Sequence, residues 1–357
     1  MKDQNNTKTK RRVCLLSLIV LSSLYFYSSN ESKPSQGEVA GFAQEQSRSE
    51  QKKLSSKDED SSSLTTDSKI LATKTKRKAQ GKVISTSRVG SGIGEIGLTE
   101  EGGGIGPTSF SVTDEGLVLV MDRMNDRILS GVDGNLDTLV DLKGKFLKGM
   151  TMDDSDNLRV LTGNDTLVLE SFTQDGEKLE GVNPTFKPVH LNGMDVRKVG
   201  DNLLISGAVE NYSVNAEGVI NEVPGIPLKS DLALEKAAFL ETSASEQGDA
   251  VVLTFRNEES APVAQREIKG DFGGILGTFP TESGNTVIAV ESMGDNPSIS
   301  FITVNAKGEV LDHLEVADKG DFLVDQKTQV SKDGCKAFQM SAEKEKVEVI
   351  EYELKCM

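Results

Sequence analysis

Tryptophan is absent from this 357-residue chain, histidine occurs twice and cysteine three times. Two histidines, His190 and His313, cannot furnish a His-rich zinc centre. A Ser–His–Asp relay would need one of them to meet partners brought from distant segments. Positive charge is also scarce after the first quarter of the chain. Residues 1–82 hold 16 Lys and Arg against 9 Asp and Glu, which leaves 24 basic and 47 acidic residues of the chain's 40 and 56 for residues 83–357. So acidic a body is unsuited to nucleic-acid backbone, where Lys and Arg must replace condensed counterions. It suits solubility, or the attraction of cations and basic partners.

Long apolar runs are missing too. The longest, VCLLSLIVLSSLYFY over Val13–Tyr27, has 15 residues, where a membrane span usually takes ~20. The cationic residues Lys8, Lys10, Arg11 and Arg12 precede it directly, which is the pattern of an export signal. An uncleaved anchor over 1–29 is favoured, because the best small-x-small pair, Gly41 and Ala43, lies well downstream. This puts the basic flank in the cytoplasm, one pass in the inner membrane and the rest on the periplasmic side; cleavage would instead give a secreted protein. Cys14 reads as one more apolar residue of that run. Residues 30–82, rich in Ser, Lys, Gln and Glu, cannot bury enough apolar surface to offset chain entropy and are expected to form a disordered linker. Its basic run, Lys74, Lys76, Arg77 and Lys78, is expected to be solvated.

What the sequence does have, from residue 83 on, is self-similarity. TDEG at 113, DSDN at 154, VGDN at 199, EQGD at 246, ESGN at 282 and SKDG at 331 each precede a β-rich run. Asp, Asn and Gly suit such turns through positive φ or through bonds to the following backbone. A second turn set, VDGN at 132, QDGE at 174, NAEG at 215 and NAKG at 305, closes a further strand. Units starting near Ser109, Gly149, Gly193, Ala237, Leu276 and Phe322 predict an all-β, six-bladed β-propeller over 83–357. The last unit supplies only three strands, so Val83–Val89 is expected to become its outermost strand and close the ring. The fourth unit is the least regular, with PVAQREI its single clear run after AVVLTF.

Pro107, Val112, Asp114, Gly116, Val118, Val120, Asp122, Asn125, Arg127 and Ile128, with Asp133–Gly134 at the close, make the first unit resemble an NHL-type propeller repeat. The match covers about 30 residues, and the other five units lack the Asn-x-Arg pair. The resemblance implies the ring and transfers no activity, since such rings host lyases, lactonases and plain binding modules. Lyases of that kind depend on several metal-binding histidines, which two cannot supply. Calcium-dependent lactonases use carboxylates and amides at the central mouth, and Glu210, Asn164, Asn211 and Asp195 are of that type. Quinone-cofactor propellers commonly carry tryptophan motifs, absent here.

Gly92-x-Gly94-x-x-Gly97 matches a dinucleotide fingerprint only formally, because LTEEGGGIGP cannot open the helix that motif requires. A connection from the closing strand to the first blade is expected instead. Asp153, Asp154, Asp156 and Asn157 lack the spacing of a calcium loop and read as a turn. In a propeller, the loops between second and third strands share one mouth. Here they contribute Asp122, Asn125, Arg127, Asn164, Asp165, Glu210, Glu258, Glu291 and Asp295. Converging carboxylates repel, and a cation or basic partner would relieve them. The expected function is a non-catalytic binding or scaffold module for a protein, peptide or envelope ligand, with no cofactor. Its alternative is a calcium-assisted hydrolase or lactonase. For Cys335 and Cys356, export permits a disulfide. The expected hairpin sets Cys335 opposite Glu351, so the bond also requires the tail to fold back.

Overall fold

Strands here are short and apolar on both faces; every residue of Val118–Asp122 is buried. Sheets of that kind must stack on one another, and the chain meets the requirement with six sheets arranged as a ring. The computed structural model describes residues 68–71, 76–101, 104–153, 155–181, 183–189, 194–207, 210–228, 234–245, 247–292 and 296–356. The expected anchor over 13–27, Asp154, His190 and Asp295 lie outside the described residues. Among the described residues no helix is long and apolar enough to cross a membrane.

The described chain opens with β1 (Ser68–Leu71), β2 (Arg77–Lys78) and β3 (Lys82–Arg88), which join three different sheets. The first blade is β4 (Ser109–Val112), β5 (Val118–Asp122), β6 (Arg127–Val132) and β7 (Asn135–Asp141). The second is β8 (Leu147–Met152), β9 (Leu158–Gly163), β10 (Leu167–Phe172) and the short β11 (Thr185–Phe186). The third is β12 (Asp195–Val199), β13 (Asn202–Ser206), β14 (Asn211–Val214) and β15 (Ile220–Val223). The fourth is β16 (Ile226–Pro227), β17 (Phe239–Ala244), β18 (Ala250–Arg256) and β19 (Pro262–Lys269). The fifth is β20 (Gly274–Pro280), β21 (Thr286–Ser292), β22 (Ser298–Val304) and β23 (Val310–Ala317). The sixth is β24 (Thr328–Val330), β25 (Lys336–Ala342) and β26 (Lys346–Glu353), completed by β3.

The expected closure is present: β3 pairs antiparallel with β26, Arg88 opposite Lys346 and Lys82 opposite Glu351. The expected linker, however, gives way to structure before residue 82. β1 runs parallel to β19, with Ser68 opposite Gln265, and β2 runs parallel to β23, with Arg77 opposite Leu314. The strap thus adds a fifth strand to blades four and five before it closes blade six. Of its basic run, Lys74 lies outside the described residues and Lys76 and Lys78 are exposed, but Arg77 is not solvated as expected. Arg77 grips Asp312 through Nη2 at 2.6 Å and Nε at 3.1 Å, and Lys76 meets Glu315 at 2.8 Å. Burial pushes the Asp312 carboxyl up, but the Arg77 bonds and charge win and hold it below the usual range. The same carboxylate accepts the Lys355 N–H at 3.4 Å, so both ends of the folded chain meet on it. Nearby, Cys335 is bonded to Cys356, their Cα atoms 4.7 Å apart. The hairpin register differs from the expected one: Cys335 lies opposite Leu354 rather than Glu351, with the Leu354 N–H on the Cys335 carbonyl at 2.8 Å, so Cys356 reaches it by simple continuation of the strand pair.

Apolar clusters bridge neighbouring blades. Leu119, Met121 and Ile128 of the first pack on Met150, Leu158 and Val160 of the second. Phe255 and Ile268 of the fourth meet Ile288, Val290 and Ile302 of the fifth. Each such side chain, once buried, contributes on the order of 1.5–3 kcal/mol.

Antiparallel pairing sorts the connections onto two faces. First-to-second and third-to-fourth strand turns lie on one, the turn face. Second-to-third loops and blade-to-blade connections lie on the other, the loop face. One turn recurs on the first. At Thr113, Asp153, Thr173, Asn215, Asn257 and Asn305 the side-chain oxygen accepts the N–H four residues on, at 2.8–3.2 Å. Blade four is phased one strand earlier than expected. EQGD is its second-to-third loop, while FRNEES is a third-to-fourth turn. The reason is physical. Ser245 and Gly248 close the loop-face connection with the same backbone bond, Gly248 N–H to Ser245 O at 3.0 Å, that marks the turn face elsewhere.

Candidate functional site

The inner strands β4, β8, β12, β16, β20 and β24 surround an axial channel that is closed midway. From β12, Arg197 pairs with Asp195, donates to the Thr278 carbonyl at 2.6 Å and lies 4.2 Å over the Phe279 ring. Gln326 donates to the carbonyls of Met194 at 2.9 Å and Lys148 at 3.3 Å. These groups form a septum. On the loop-face side is a vestibule of about 390 Å³ that reaches Asn211, Leu240, Thr242, Leu276 and Asp325. On the other side a cavity of about 130 Å³ extends past Thr151 and Thr328 to the turn face. Burial pushes the Asp195 carboxyl up, against the opposing pull of Arg197.

The residues singled out in the sequence do not converge on this axis. Asp122 is fully buried and accepts the Gly97 N–H at 3.1 Å, Asn125 Nδ2 at 2.7 Å and Arg127 Nε at 3.3 Å. Asn125 also donates to Gly90 O at 3.0 Å, and Arg127 to Gly92 O at 2.9 Å and Glu95 O at 2.7 Å. The trio is a staple that fastens the Gly-rich connector to blade one. Gly97 has to be glycine there: a Cβ would lie 2.5 Å from the Met124 Cβ. All three thus have a structural task at this connector.

Glu210 is buried, holding the Tyr212 hydroxyl at 2.5 Å and the Val189 N–H at 3.1 Å. Burial first, then this carboxylate, push the phenol up to about 12. Glu291 accepts Lys327 at 2.7 Å, and Lys327 also meets Asp318 at 2.7 Å. Burial pulls Lys327 down, yet bonds from Asp318 and Glu291 win and hold it above its ordinary range. Asn164 and Asp165 are exposed on the loop face. Glu258, expected beside them, sits on the opposite face because blade four is phased one strand earlier. The Asp153 turn needs no ion, since Oδ1 accepts Ser155 N–H at 2.9 Å and Asn157 N–H at 3.0 Å. Among the described residues no three His, Cys, Asp or Glu side chains gather to hold a metal. Of the lactonase-type set, Asp195 is bonded to Arg197 and Glu210 to Tyr212, while Asn211 and Asp195 line the same vestibule. His313 is buried in β23 with Nε2 3.0 Å from Ser300 Oγ, away from the channel; burial pulls it down to about 4.

Sequence reasoning missed the apolar side of the loop face. Of eight large apolar side chains exposed among the described residues, Ile93, Met124, Phe146, Val189 and Leu323 lie on its loops. Val132 and Val219 lie on the turn face, and Val83 on the outer wall. Isolated apolar residues inside loops leave no periodic trace, so only the ring could bring them together.

No family model and no curated protein matches this chain. Solved structures similar to it include a putative gluconolactonase, 14% identical with a TM-score of 0.43 over 76% of this chain and 93% of that one. The WD40 β-propeller domain of Doa1 is 9% identical with a TM-score of 0.40, covering 68% and 92%. A Bacteroides caccae protein of unknown function is 16% identical with a TM-score of 0.39, covering 60% and 83%. Likeness at this level carries no argument about activity.

Proposed function

We propose that this protein is a non-catalytic binding module, an NHL-like ring tethered at the periplasmic side of the inner membrane, which engages a protein or peptide through its loop face. The observation that carries the reading is the state of the candidate acidic groups. Asp122, Asp195, Glu210 and Glu291 are each bonded to groups of their own chain. A reactive cluster needs a nucleophile, base or metal ligand set left available to substrate. Here those groups hold the septum and the connectors in place, and recognition falls to the surface around them. The tether rests on the basic flank and the apolar run Val13–Tyr27.

Photo-crosslinking side chains placed in living cells at Phe146 and Val189, against Val132 and Val219 on the other face, test this. Adducts from the first pair alone are expected; adducts from neither face would sink the binding reading. Melting with and without chelator is expected to give the same midpoint, whereas a shift of many degrees would favour the calcium enzyme.

A further inference from the structure

The loop face has a composition that specifies a class of partner. Ile93, Met124, Phe146, Val189 and Leu323 are 42–85% exposed. They occupy the Gly-rich connector, the β5–β6 loop, and the connections from blade one to two, two to three and five to six. Together they follow one arc, from the seam of the ring to blade three. Scattered apolar residues need no explanation, but a concentration on one face marks an interaction surface.

The charges beside the arc decide what that surface takes. Its cations are largely committed: Arg123 to Asp325 at 2.8 Å, Lys145 to Glu170 at 2.5 Å, Lys344 to Glu100 at 2.8 Å. Lys327 serves Glu291 and Asp318. Glu101, Asp165, Asp271, Asp321 and Glu345 are exposed on the same face and enter no ion pair among the described residues, against Arg88, Lys187, Lys269 and Lys319. The body behind them carries 47 acidic and 24 basic residues. An anionic lipid surface would be repelled, and so would a second copy of this chain.

We infer that the arc docks a basic amphipathic polypeptide segment, its apolar side chains on Phe146, Val189 and their neighbours and its Lys or Arg residues toward the leftover carboxylates. This rests on the binding reading and adds the partner's chemistry. Desolvated apolar anchors would hold the segment, while the acidic surround would steer it and make association sensitive to salt.

The test uses the full chain in detergent and three synthetic peptides: an amphipathic Leu/Lys helix, its Leu/Glu counterpart and a Ser/Lys control. Fluorescence anisotropy is expected to give binding of the Leu/Lys peptide alone, weakening as salt rises. The double variant Phe146→Ser/Val189→Ser is expected to lose about tenfold in affinity, and Val132→Ser/Val219→Ser to lose nothing. Equal affinity in both variants would overturn the inference, as would equal binding of the Ser/Lys peptide. Phe146-dependent uptake by zwitterionic phosphatidylcholine vesicles would also overturn it, by making lipid the occupant. Loop-face crosslinks in cells without Leu/Lys binding would reject this partner class and leave the module reading standing.

Discussion

The two faces of the ring are built on different rules. On the turn face, one backbone solution recurs, and each copy is self-contained: a polar side chain satisfies the N–H four residues on, as Asn305 does for Glu309 at 2.9 Å. On the loop face that turn appears at Ser245, the other connections differ from it, and several polar groups are bonded across long sequence separations. Lys327 there joins Glu291 to Asp318, and Asp318 accepts Gln339 at 3.2 Å. The turn face is therefore where the repeat is written, and the loop face is where this chain departs from it.

If that contrast holds, damage should scale with it. The largest effect is expected from Lys327→Met, which leaves the largely buried carboxylates of Glu291 and Asp318 without their cation. A loss of about 3–5 kcal/mol in urea unfolding is expected, and a loss below about 1 would mean that water already serves them. The outer wall between the faces supplies the next. His313 has its folded pKa pulled down to about 4 by burial, against about 6.5 in an unfolded chain. Its full contribution is present above pH 6.5 and is lost as pH falls toward 4, by about 3 kcal/mol at most. His313→Gln should flatten that acid limb in stability curves taken at several pH values; an unchanged slope would assign it to the carboxylates. On the turn face, Asn305→Ala removes one local cap and should cost about 1 kcal/mol in the same assay. Phe146→Ser closes the series. Being exposed and outside the core, it should shift the denaturation midpoint by no more than about 0.5 kcal/mol, and a larger loss would make it part of the fold.

Much of the ring was legible because it depends on local chemistry. The Asx and Gly turns, the apolar strands between them and the absence of a fourth strand in the last unit predicted six blades closed by Val83–Val89. What escaped was what depends on neighbours. In blade four, Ser245–Gly248 imitates a turn-face signal, and the two-residue inner strand Ile226–Pro227 is too short to leave a pattern. Arg77 looked like a linker charge because its partner, Asp312, is 235 positions away. Asp122, Asn125 and Arg127 stand close together in the sequence, but whether such a trio faces a ligand or a connector is a matter of tertiary placement. Here the connector won, since the glycines at 90–97 bring its backbone carbonyls close enough to be gripped.

The position of β3 has a consequence for biosynthesis. Lys82–Arg88 leaves the ribosome before any blade, yet its partner strand, Lys346–Glu353, is the last to be made. β3 must wait, unpaired, through nearly the whole synthesis of the ring. A chain cut short anywhere before residue 346 would retain that waiting edge, ready to pair with a neighbour's.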